Sequence, residues 1–329
     1  MKLIKMAMVV LAIIIIFEFF IVANSQGQLK VGFYNQVCPN AESVVTNIVR
    51  DAAKSDHRIP PGLLRLHFHD CFVEGCDGSI LIDNGNTSEK GAFGHQGLIG
   101  FDIIEDAKAK LESLCPGLVS CADIVAMAAR DAVAFSHGPI YQVETGRKDG
   151  LVSNIDHANR MPDVRDSIQL LKQKFIEKGL NAKDLVILSA AHTIGTTACF
   201  FMEERLYNFA SHGGPDPSIN PRLLPELTST CPKNGDVGVR LPMDHGSEDT
   251  FDIQILQNIR SGFAVLQSDA KLMDDLTTRG IVDSYFGVLA PLTGPSFETD
   301  FVTSMVRMGR IGVKTGSNGN IRRLCKSFN

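Results

Sequence analysis

The sequence predicts a mostly α fold, and three observations lead to that prediction. Several segments carry apolar residues at helical spacing, whereas segments with the alternation of a β-strand are few and short. The 329 residues contain no internal repeat and no shift in composition that would mark a domain linker. Hydrophobic residues make up 44% of the chain, which is enough for a sizeable core. The length suggests two helical lobes that share a site.

The predicted helices follow one another along most of the chain. Ser120 is a suitable N-cap for the apolar segment that follows it, and Gly179 can end the amphipathic segment before it. The run from Glu203 to Arg205 reads as a solvated helix face. The predicted helical segments are 42–56, 62–72, 101–114, 120–135, 166–178, a segment that starts after Asn181, and a late helix that contains Phe301 and Met308.

The first 27 residues differ in composition from the rest. Two lysines precede an almost wholly apolar run from Met6 to Ala23, and the small residues of ANSQG follow it. This order is typical of a secretory signal peptide at residues 1–27, with a transmembrane anchor as the alternative. Glu18 interrupts the run and favours the signal peptide. We therefore expect residues 28–329 to form one soluble domain that is secreted.

The charge and the cysteines of residues 28–329 limit the class of protein further. Without Lys2, Lys5 and Glu18, 30 basic and 36 acidic residues remain, a net charge of −6. A mildly acidic chain without basic clusters argues against nucleic-acid binding. All eight cysteines lie after residue 27, which predicts four disulfide bonds out of 105 possible pairings. The chain has no CxxC pair, which disfavours a zinc ribbon.

The stretch LLRLHFHDCF at 63–72 concentrates polar side chains among apolar ones. Buried charge is costly unless it is paired, so these residues indicate a function. In a helix Arg65 and His69 share a face, because they are four residues apart. His67 and His69 diverge, which leaves a hydrolytic zinc site as a distant alternative. A guanidinium beside an imidazole suits a small oxygen species, because the imidazole moves a proton and the arginine stabilises negative charge.

A second polar pattern begins within the same stretch. Asp70, Asp77 and Ser79 follow one another with Val73 and Gly75 between them. Side-chain oxygens combined with turn carbonyls are ligands for Ca²⁺ rather than for zinc. The spacing does not fit an EF-hand, because the closing Glu is missing. The sequence therefore predicts a calcium site of another kind.

Several motifs together resemble those of one protein family. RLHFHDCFVEGCDGSILID at 65–83 resembles the distal-helix signature of the class III haem peroxidases, which are secretory plant enzymes. LSAAHTIG at 188–195 is similar to their proximal-histidine signature. The resemblance covers essentially the whole chain after residue 27. The order of the eight cysteines also matches, as do FYNQVCP (33–39), VSCADIVAMAARDAV (119–133), GRKDG (146–150) and QSDAKL (267–272).

This resemblance implies a fold and an activity. The fold would be a two-lobed helical haem-peroxidase fold with minimal β structure, one haem b between the distal and proximal lobes, and two calcium ions. The enzyme would reduce hydrogen peroxide, form a ferryl intermediate and oxidise small phenolic donors in successive one-electron steps. It would act outside the cell as a monomer without binding a membrane. The alternative is a secreted relative that binds haem and calcium but turns over poorly.

The resemblance also implies the role of each active-site residue. His69 would move a proton between the two oxygens of the peroxide, and Arg65 would stabilise the charge that develops as they separate. His192 would be the axial ligand of the haem iron, and Asp269 would accept the Nδ1–H of that histidine. Two further residues would contact the haem face and the aromatic donor, namely Phe68 and Pro162.

The metal ligands and the disulfide bonds are implied in the same way. The distal calcium ligands would be Asp70, Val73, Gly75, Asp77 and Ser79, with Glu89 bound through water. The proximal calcium ligands would be Thr193, Asp244, Ser247, Thr250 and Asp252. The disulfide pairs would be Cys38–Cys115, Cys71–Cys76, Cys121–Cys325 and Cys199–Cys231.

One residue of the distal site departs from the family pattern. The run EKGAFGH places His95 where the family usually has an Asn that accepts the Nδ1–H of the distal histidine. A neutral imidazole offers one acceptor nitrogen, whereas a protonated imidazole offers none. A neutral His95 that faces His69 could therefore still accept this hydrogen bond, and in that arrangement we expect activity to fall more steeply at acid pH than in relatives with Asn. Because His95 could impair the distal histidine, it is also the basis of the alternative, a secreted relative with impaired turnover.

Overall fold

A computed structural model describes residues 28–211, 213–287 and 294–329. The predicted signal peptide at 1–27 lies outside these residues. The described chain is mostly α-helical, which confirms the predicted fold class, and within it no helix has the length and apolarity needed to cross a membrane. The helices are α1 (Ala41–Ser55), α2 (Ile59–Phe72), α3 (Phe101–Leu114), α4 (Cys121–Phe135), α5 (Ile155–Ala158), α6 (Ile168–Glu177), α7 (Ala182–Ser189), α8 (Glu203–Tyr207), α9 (Leu224–Thr230), α10 (Gln254–Ser261), α11 (Gln267–Ala270), α12 (Leu276–Ser284) and α13 (Phe297–Met308).

Helices α1 to α4 form the first lobe. Their inward faces share one core, which includes Val45, Leu66 and Ile124. Helix α4 is buried along nearly its whole length, as its run of alanines and β-branched residues predicts. It begins at the predicted N-cap, since the Ser120 hydroxyl oxygen accepts the backbone N–H of Asp123 at 3.1 Å.

Helices α6, α7, α10, α12 and α13 form the second lobe. Its core includes Val186, Ile255 and Phe301. Helix α7 begins with a capping box, in which the side chains of Asn181 and Asp184 each accept the other's backbone N–H. This start fixes the direction of α7, which ends next to the turn that carries His192.

Helix α2 lies where the two cores meet. Leu63 and Leu66 belong to the core of the first lobe, whereas Leu64 and Phe72 belong to the core of the second. A helix with apolar packing on both sides holds its remaining side chains in fixed positions. Helix α2 therefore presents its polar residues at the boundary between the lobes.

A small third core contains helices α8 and α9. The prediction of a solvated face at 203–205 is wrong for Arg205, whose side chain is 1% exposed. Its Nε donates to Asp216 Oδ2 at 2.9 Å, and its Nη1 donates to the carbonyl oxygen of Ala264 at 2.7 Å. A buried guanidinium is tolerated because its donors are satisfied in this way.

Strands and disulfide bonds complete the fold. The described residues contain four short strands, β1 (Lys30–Val31), β2 (Glu144–Thr145), β3 (Thr196–Ala198) and β4 (Arg240–Pro242). They form two antiparallel pairs, β1 with β2 and β3 with β4. The structure contains the four disulfide bonds that the resemblance implies: Cys38–Cys115, Cys71–Cys76, Cys121–Cys325 and Cys199–Cys231.

Candidate active site

Helix α2 brings Arg65 and His69 together, as their spacing predicts. Arg65 Nε donates a hydrogen bond to His69 Nε2 at 3.1 Å, and Arg65 Nη2 donates to the carbonyl oxygen of Gly94 at 3.0 Å. Because an N–H donates to it, His69 Nε2 is the unprotonated nitrogen of that ring. The pair therefore presents a fixed cation beside a nitrogen that can accept a proton.

The surroundings of the pair set its protonation. Burial, with a smaller contribution from Arg65, lowers the pKa of His69 well below its ordinary value. Burial and the nearby Arg240 lower the pKa of Arg65 to about 10. At neutral pH the imidazole is therefore a neutral base while the guanidinium keeps its charge.

His95 lies beside His69, but the expected hydrogen bond between them is not formed. The two rings meet edge to face, with their centroids 4.8 Å apart. His95 Nδ1 is 2.7 Å from the carbonyl oxygen of Glu89, so this nitrogen is the donor. The other nitrogen, Nε2, lies 3.0 Å from Met161 Sδ, and the buried Nδ1 of His69 has no hydrogen-bond partner among the described residues. The ring nitrogens of His95 therefore face the Glu89 carbonyl and Met161 Sδ, and neither faces His69.

The surroundings of His95 also set its protonation. Burial is the main reason that the pKa of His95 is lowered to about 4, and the nearby Arg65 adds to the shift. The ring therefore stays neutral in mildly acidic solution. Protonation of His95 therefore falls near pH 4 rather than near the ordinary pKa of histidine, and the acid loss of activity stays a prediction.

On the other lobe, the structure joins His192 and Asp269. His192 lies in the short 3₁₀ turn Ala190–Thr193, and its Nδ1 is 3.0 Å from Asp269 Oδ2. Asp269, in α11, is fully buried, whereas the side chain of His192 is 34% exposed. A carboxylate at Nδ1 fixes the tautomer in which Nε2 is free to bind a metal. These residues therefore fit the axial site of a haem.

The oxygen atoms predicted for the distal calcium site come together in the loop after α2. Asp70 Oδ2 accepts the N–H of Gly78 and Asp77 Oδ1 accepts that of Ser79, each at 3.0 Å. Ser79 Oγ and both carboxylate oxygens of Glu89 are buried and have no partner in the part of the chain that the structure describes. Buried polar atoms without partners are rare in folded proteins, so this cluster fits a bound cation and its water.

The charges of the distal cluster lead to the same conclusion. Burial and the neighbouring Asp77 raise the pKa of Asp70 to about 8. Burial and Asp70 raise the pKa of Glu89 to about 9. Carboxyl groups shift in this way where several negative charges share a buried space that lacks a full counter-ion charge. A divalent cation would supply that counter-ion.

The residues predicted for the proximal calcium site also converge. Thr193 Oγ1 donates to Asp244 Oδ2 at 3.0 Å and accepts the N–H of Asp252 at 3.2 Å. Ser247 Oγ donates to Asp252 Oδ2 at 2.5 Å, and the carbonyl oxygen of Thr250 is 3.3 Å from Thr193 Oγ1. Burial raises the pKa of Asp244 to about 7. This set of oxygens also fits a calcium ion.

Phe68 and Pro162 were predicted to contact the haem face and the aromatic donor. Phe68 packs against Phe72 with ring centroids 4.3 Å apart, and its ring is 5.7 Å from that of His69. Pro162 is half-buried and follows Met161, which contacts His95. Pro162 is therefore linked to the distal residues through its chain neighbour Met161.

Sequence reasoning missed one exposed aromatic pair near the distal residues. Phe93 and Phe200 are 44% and 42% exposed, and their rings meet edge to face at 5.4 Å. Phe93 precedes His95 by two residues, and Phe200 lies in the second half of the chain. The position of Phe93 near His95 in the sequence could have indicated that Phe93 lies by the distal site. Its partner Phe200 could not be predicted in this way, because it is more than a hundred residues away.

A helical fold with an Arg–His pair on one lobe and a carboxylate-bonded histidine on the other is the arrangement expected of a haem peroxidase. Comparison with known proteins gives the same class, because the family model described as Peroxidase matches residues 45–287. Peroxidase 43 of Arabidopsis thaliana is 64% identical over 305 residues, which are 93% of this chain and 94% of that protein.

Two further relatives extend this similarity to most of the chain. Peroxidase 13 of Arabidopsis thaliana is 53% identical over 307 residues, with 93% of this chain and 94% of that protein covered. Peroxidase N1 of Nicotiana tabacum is 48% identical over 325 residues, with 99% and 97% covered. The chain belongs to the peroxidase family, in its plant class III group. It is an oxidoreductase that uses haem and hydrogen peroxide to oxidise a donor, and a relative with lost turnover is not favoured.

Proposed function

We propose that Arg65 and His69 carry out the reaction with hydrogen peroxide while His192 holds the haem iron. The observation that carries this proposal is the 3.1 Å hydrogen bond from Arg65 Nε to His69 Nε2. It fixes a cation beside a neutral base, which is the pair of groups that cleavage of a peroxide bond requires. When bound, haem supplies the iron that exchanges electrons with peroxide and donor.

The protein residues move the proton and stabilise the charge. His69 Nε2 takes the proton from one peroxide oxygen and returns it to the other, so that the second oxygen leaves as water. Arg65 stabilises the negative charge on that oxygen as the bond lengthens. Asp269 holds the proton of His192 at Nδ1 and makes that imidazole a stronger ligand. Phe68, next to His69 in α2, would contact the haem face.

His95 is held in place by a hydrogen bond to Glu89 and not by a hydrogen bond to His69. Its Nδ1–H is fixed on the Glu89 carbonyl at 2.7 Å, and its ring fills the space beside His69 at a centroid distance of 4.8 Å. We assign His95 a positioning role, in which a neutral ring packs against the base and keeps water from it.

The two oxygen clusters bind one calcium ion each in this proposal. The distal ion is held by Asp70, Asp77 and Ser79 with the carbonyl oxygens of Val73 and Gly75, and through water by Glu89. The proximal ion is held by Thr193, Asp244, Ser247, Thr250 and Asp252. Each ion then braces the residue next to a histidine of the active site, because Asp70 follows His69 and Thr193 follows His192.

The donors are small phenols in this proposal. Pro162 borders the place where they bind, and the exposed Phe93–Phe200 pair offers rings on which a phenol can stack. Residues 1–27 are the signal peptide, and residues 28–329 are the enzyme that is secreted as a monomer to the apoplast or cell wall. Four disulfide bonds support this destination, because such bonds persist in oxidising compartments.

Stopped-flow absorbance of the haem- and calcium-loaded enzyme mixed with hydrogen peroxide tests the roles of the residues. The Soret band of the wild type is expected to change rapidly and to be restored by guaiacol. His69→Leu is expected to slow the change by roughly 10²–10⁴-fold without altering the resting spectrum. His57→Gln, at an exposed histidine outside the site, is the control. A His69→Leu protein that reacts as fast as the control would exclude the proposed base.

A further inference from the structure

A lysine ammonium lies against the distal calcium cluster. Lys314 Nζ donates to Asp77 Oδ2 and forms an ion pair with it. The Asp77 side chain is 1% exposed, whereas that of Lys314 is 31% exposed. The lysine therefore reaches from the surface to a buried carboxylate that is one of the proposed ligands. The active-site proposal gives this ammonium no role.

The backbone around Lys314 holds the lysine in this place. The carbonyl oxygen of Lys314 accepts the N–H of Lys148 at 2.7 Å, in an isolated antiparallel bridge. Two residues on, the N–H of Gly150 donates to the carbonyl oxygen of Asp77 at 2.8 Å. A Cβ on Gly150 would lie 2.2 Å from Asp77 Oδ2, so glycine is required for this close approach. The lysine and the carboxylate are thus fixed to the same piece of backbone.

A second contact fastens the calcium loop to the segment that precedes Lys314. The N–H of Cys76 donates to the carbonyl oxygen of Ile311 at 2.9 Å. Gly75 and Gly312 meet backbone to backbone, since a Cβ on Gly75 would lie 2.7 Å from the Gly312 oxygen. Such packing leaves the loop and the lysine few alternative positions. The ion pair therefore belongs to the fold and is not a chance contact of a mobile surface chain.

We propose that Lys314 is a built-in cation of the distal cluster, which weakens calcium binding there and stabilises the protein without calcium. This inference rests on the distal calcium site proposed above. The cluster contains three buried carboxyl groups, those of Asp70, Asp77 and Glu89. Lys314 neutralises one of them and leaves less negative charge for the ion. The number of ligand charges is one of the factors that set the calcium affinity of a protein site.

A second lysine adds to the positive charge at the same place. Lys178 Nζ donates to the carbonyl oxygen of Val73 at 2.8 Å. A carbonyl oxygen has two lone pairs, so this bond leaves Val73 able to face an ion. Lys178 raises the local potential without taking up a carboxylate, whereas Lys314 occupies a carboxylate oxygen. We therefore assign the main effect to Lys314.

The test compares Lys314→Met with wild type in the haem-loaded protein. Methionine keeps an unbranched apolar stem of similar length and removes the charge. Calorimetric titration of calcium into protein stripped with a chelator is expected to show distal binding tighter by about tenfold or more in Lys314→Met. The melting temperature in chelator is expected to be lower than that of wild type, because the ion pair is gone.

Two further variants keep the result interpretable. Lys148→Met removes the same charge from the neighbouring position of the bridge, where the described residues offer no ion pair, and is expected to bind calcium as wild type does. Lys314→Arg keeps the charge and is also expected to resemble wild type. Lys314→Arg remains informative if Lys314→Met does not fold. An arginine variant that binds calcium more tightly than wild type would contradict the proposal.

The outcomes separate this inference from the proposal on which it rests. Equal calcium affinities in wild type and Lys314→Met, with two ions in each by metal analysis, would overturn the role of Lys314 and leave the calcium sites intact. No calcium in either protein would overturn the distal site itself. Tighter binding in Lys314→Met together with a lower melting temperature in chelator would support the inference.

Discussion

Replacing His95 with Asn is expected to change how the stability of the protein depends on pH. Burial lowers the pKa of His95 to about 4 in the folded protein, whereas an exposed histidine has a pKa of about 6.5. Between these values the unfolded chain binds a proton that the folded protein does not. The free energy of unfolding therefore falls as the pH drops from about 6.5 to about 4. Asn does not titrate, so His95→Asn lacks this loss.

The two pKa values give the size of the difference. Relative to pH 7, His95 destabilises the wild type by about 2 kcal/mol at pH 5 and by about 3 kcal/mol at pH 4. Below the folded pKa the loss levels off, because both states are then protonated. His67 and His69 are also buried, but both proteins contain them, so the effect of their burial is common to both curves.

Guanidinium unfolding of wild type and His95→Asn at pH 7, 5 and 4 measures the difference. The wild type is expected to lose stability faster than the variant, with most of the divergence between pH 6 and pH 4. The peroxide reaction of the wild type should also stay constant down to about pH 5, since His95 is neutral there. Parallel stability curves from pH 7 to pH 4 would refute the buried, neutral state assigned to His95.

Three other substitutions test the active site and the small third core. Asp269→Asn removes the anionic partner of His192 and is expected to lower peroxidase activity by roughly 10–100-fold. Steady-state assays measure that loss, and a positive shift of the iron reduction potential should accompany it. Arg65→Leu is expected to slow the reaction with peroxide by roughly 10²–10³-fold in stopped flow, with the resting Soret band retained. Asp216→Asn leaves the charge of Arg205 buried without its partner and is expected to cost about 3–5 kcal/mol of unfolding free energy. Unchanged unfolding midpoints would argue against that charge being buried.

Local sequence patterns predicted the features that depend on neighbours in the chain. Arg65 and His69 meet because four residues make one helical turn, which is a property of the helix alone. The N-cap at Ser120 and the capping box at Asn181 follow from short-range hydrogen bonds in the same way. The roles of His192 and Asp269 came from the family resemblance, because nothing local links residues 77 positions apart.

The features that the sequence did not predict depend on contacts between distant segments. The orientation of His95 is set by the Glu89 carbonyl and by Met161, which lies 66 residues further on. The burial of Arg205 depends on a carboxylate from the loop after α8 and on carbonyl oxygens about 60 residues away. The Asp77–Lys314 pair spans 237 positions. Residue types and spacing indicate which groups can act, but not which of them meet.

The disulfide bond between Cys121 and Cys325 determines when the first lobe can be completed during synthesis. Cys325 belongs to the core of helices α1 to α4, yet it lies 204 residues after its partner. At about 5–20 residues per second, the ribosome needs roughly 10–40 s to add the residues between them. During that interval helix α4 is present without the segment that closes its lobe. The first lobe to be made is thus among the last to be finished, and a chaperone has that interval in which to bind it.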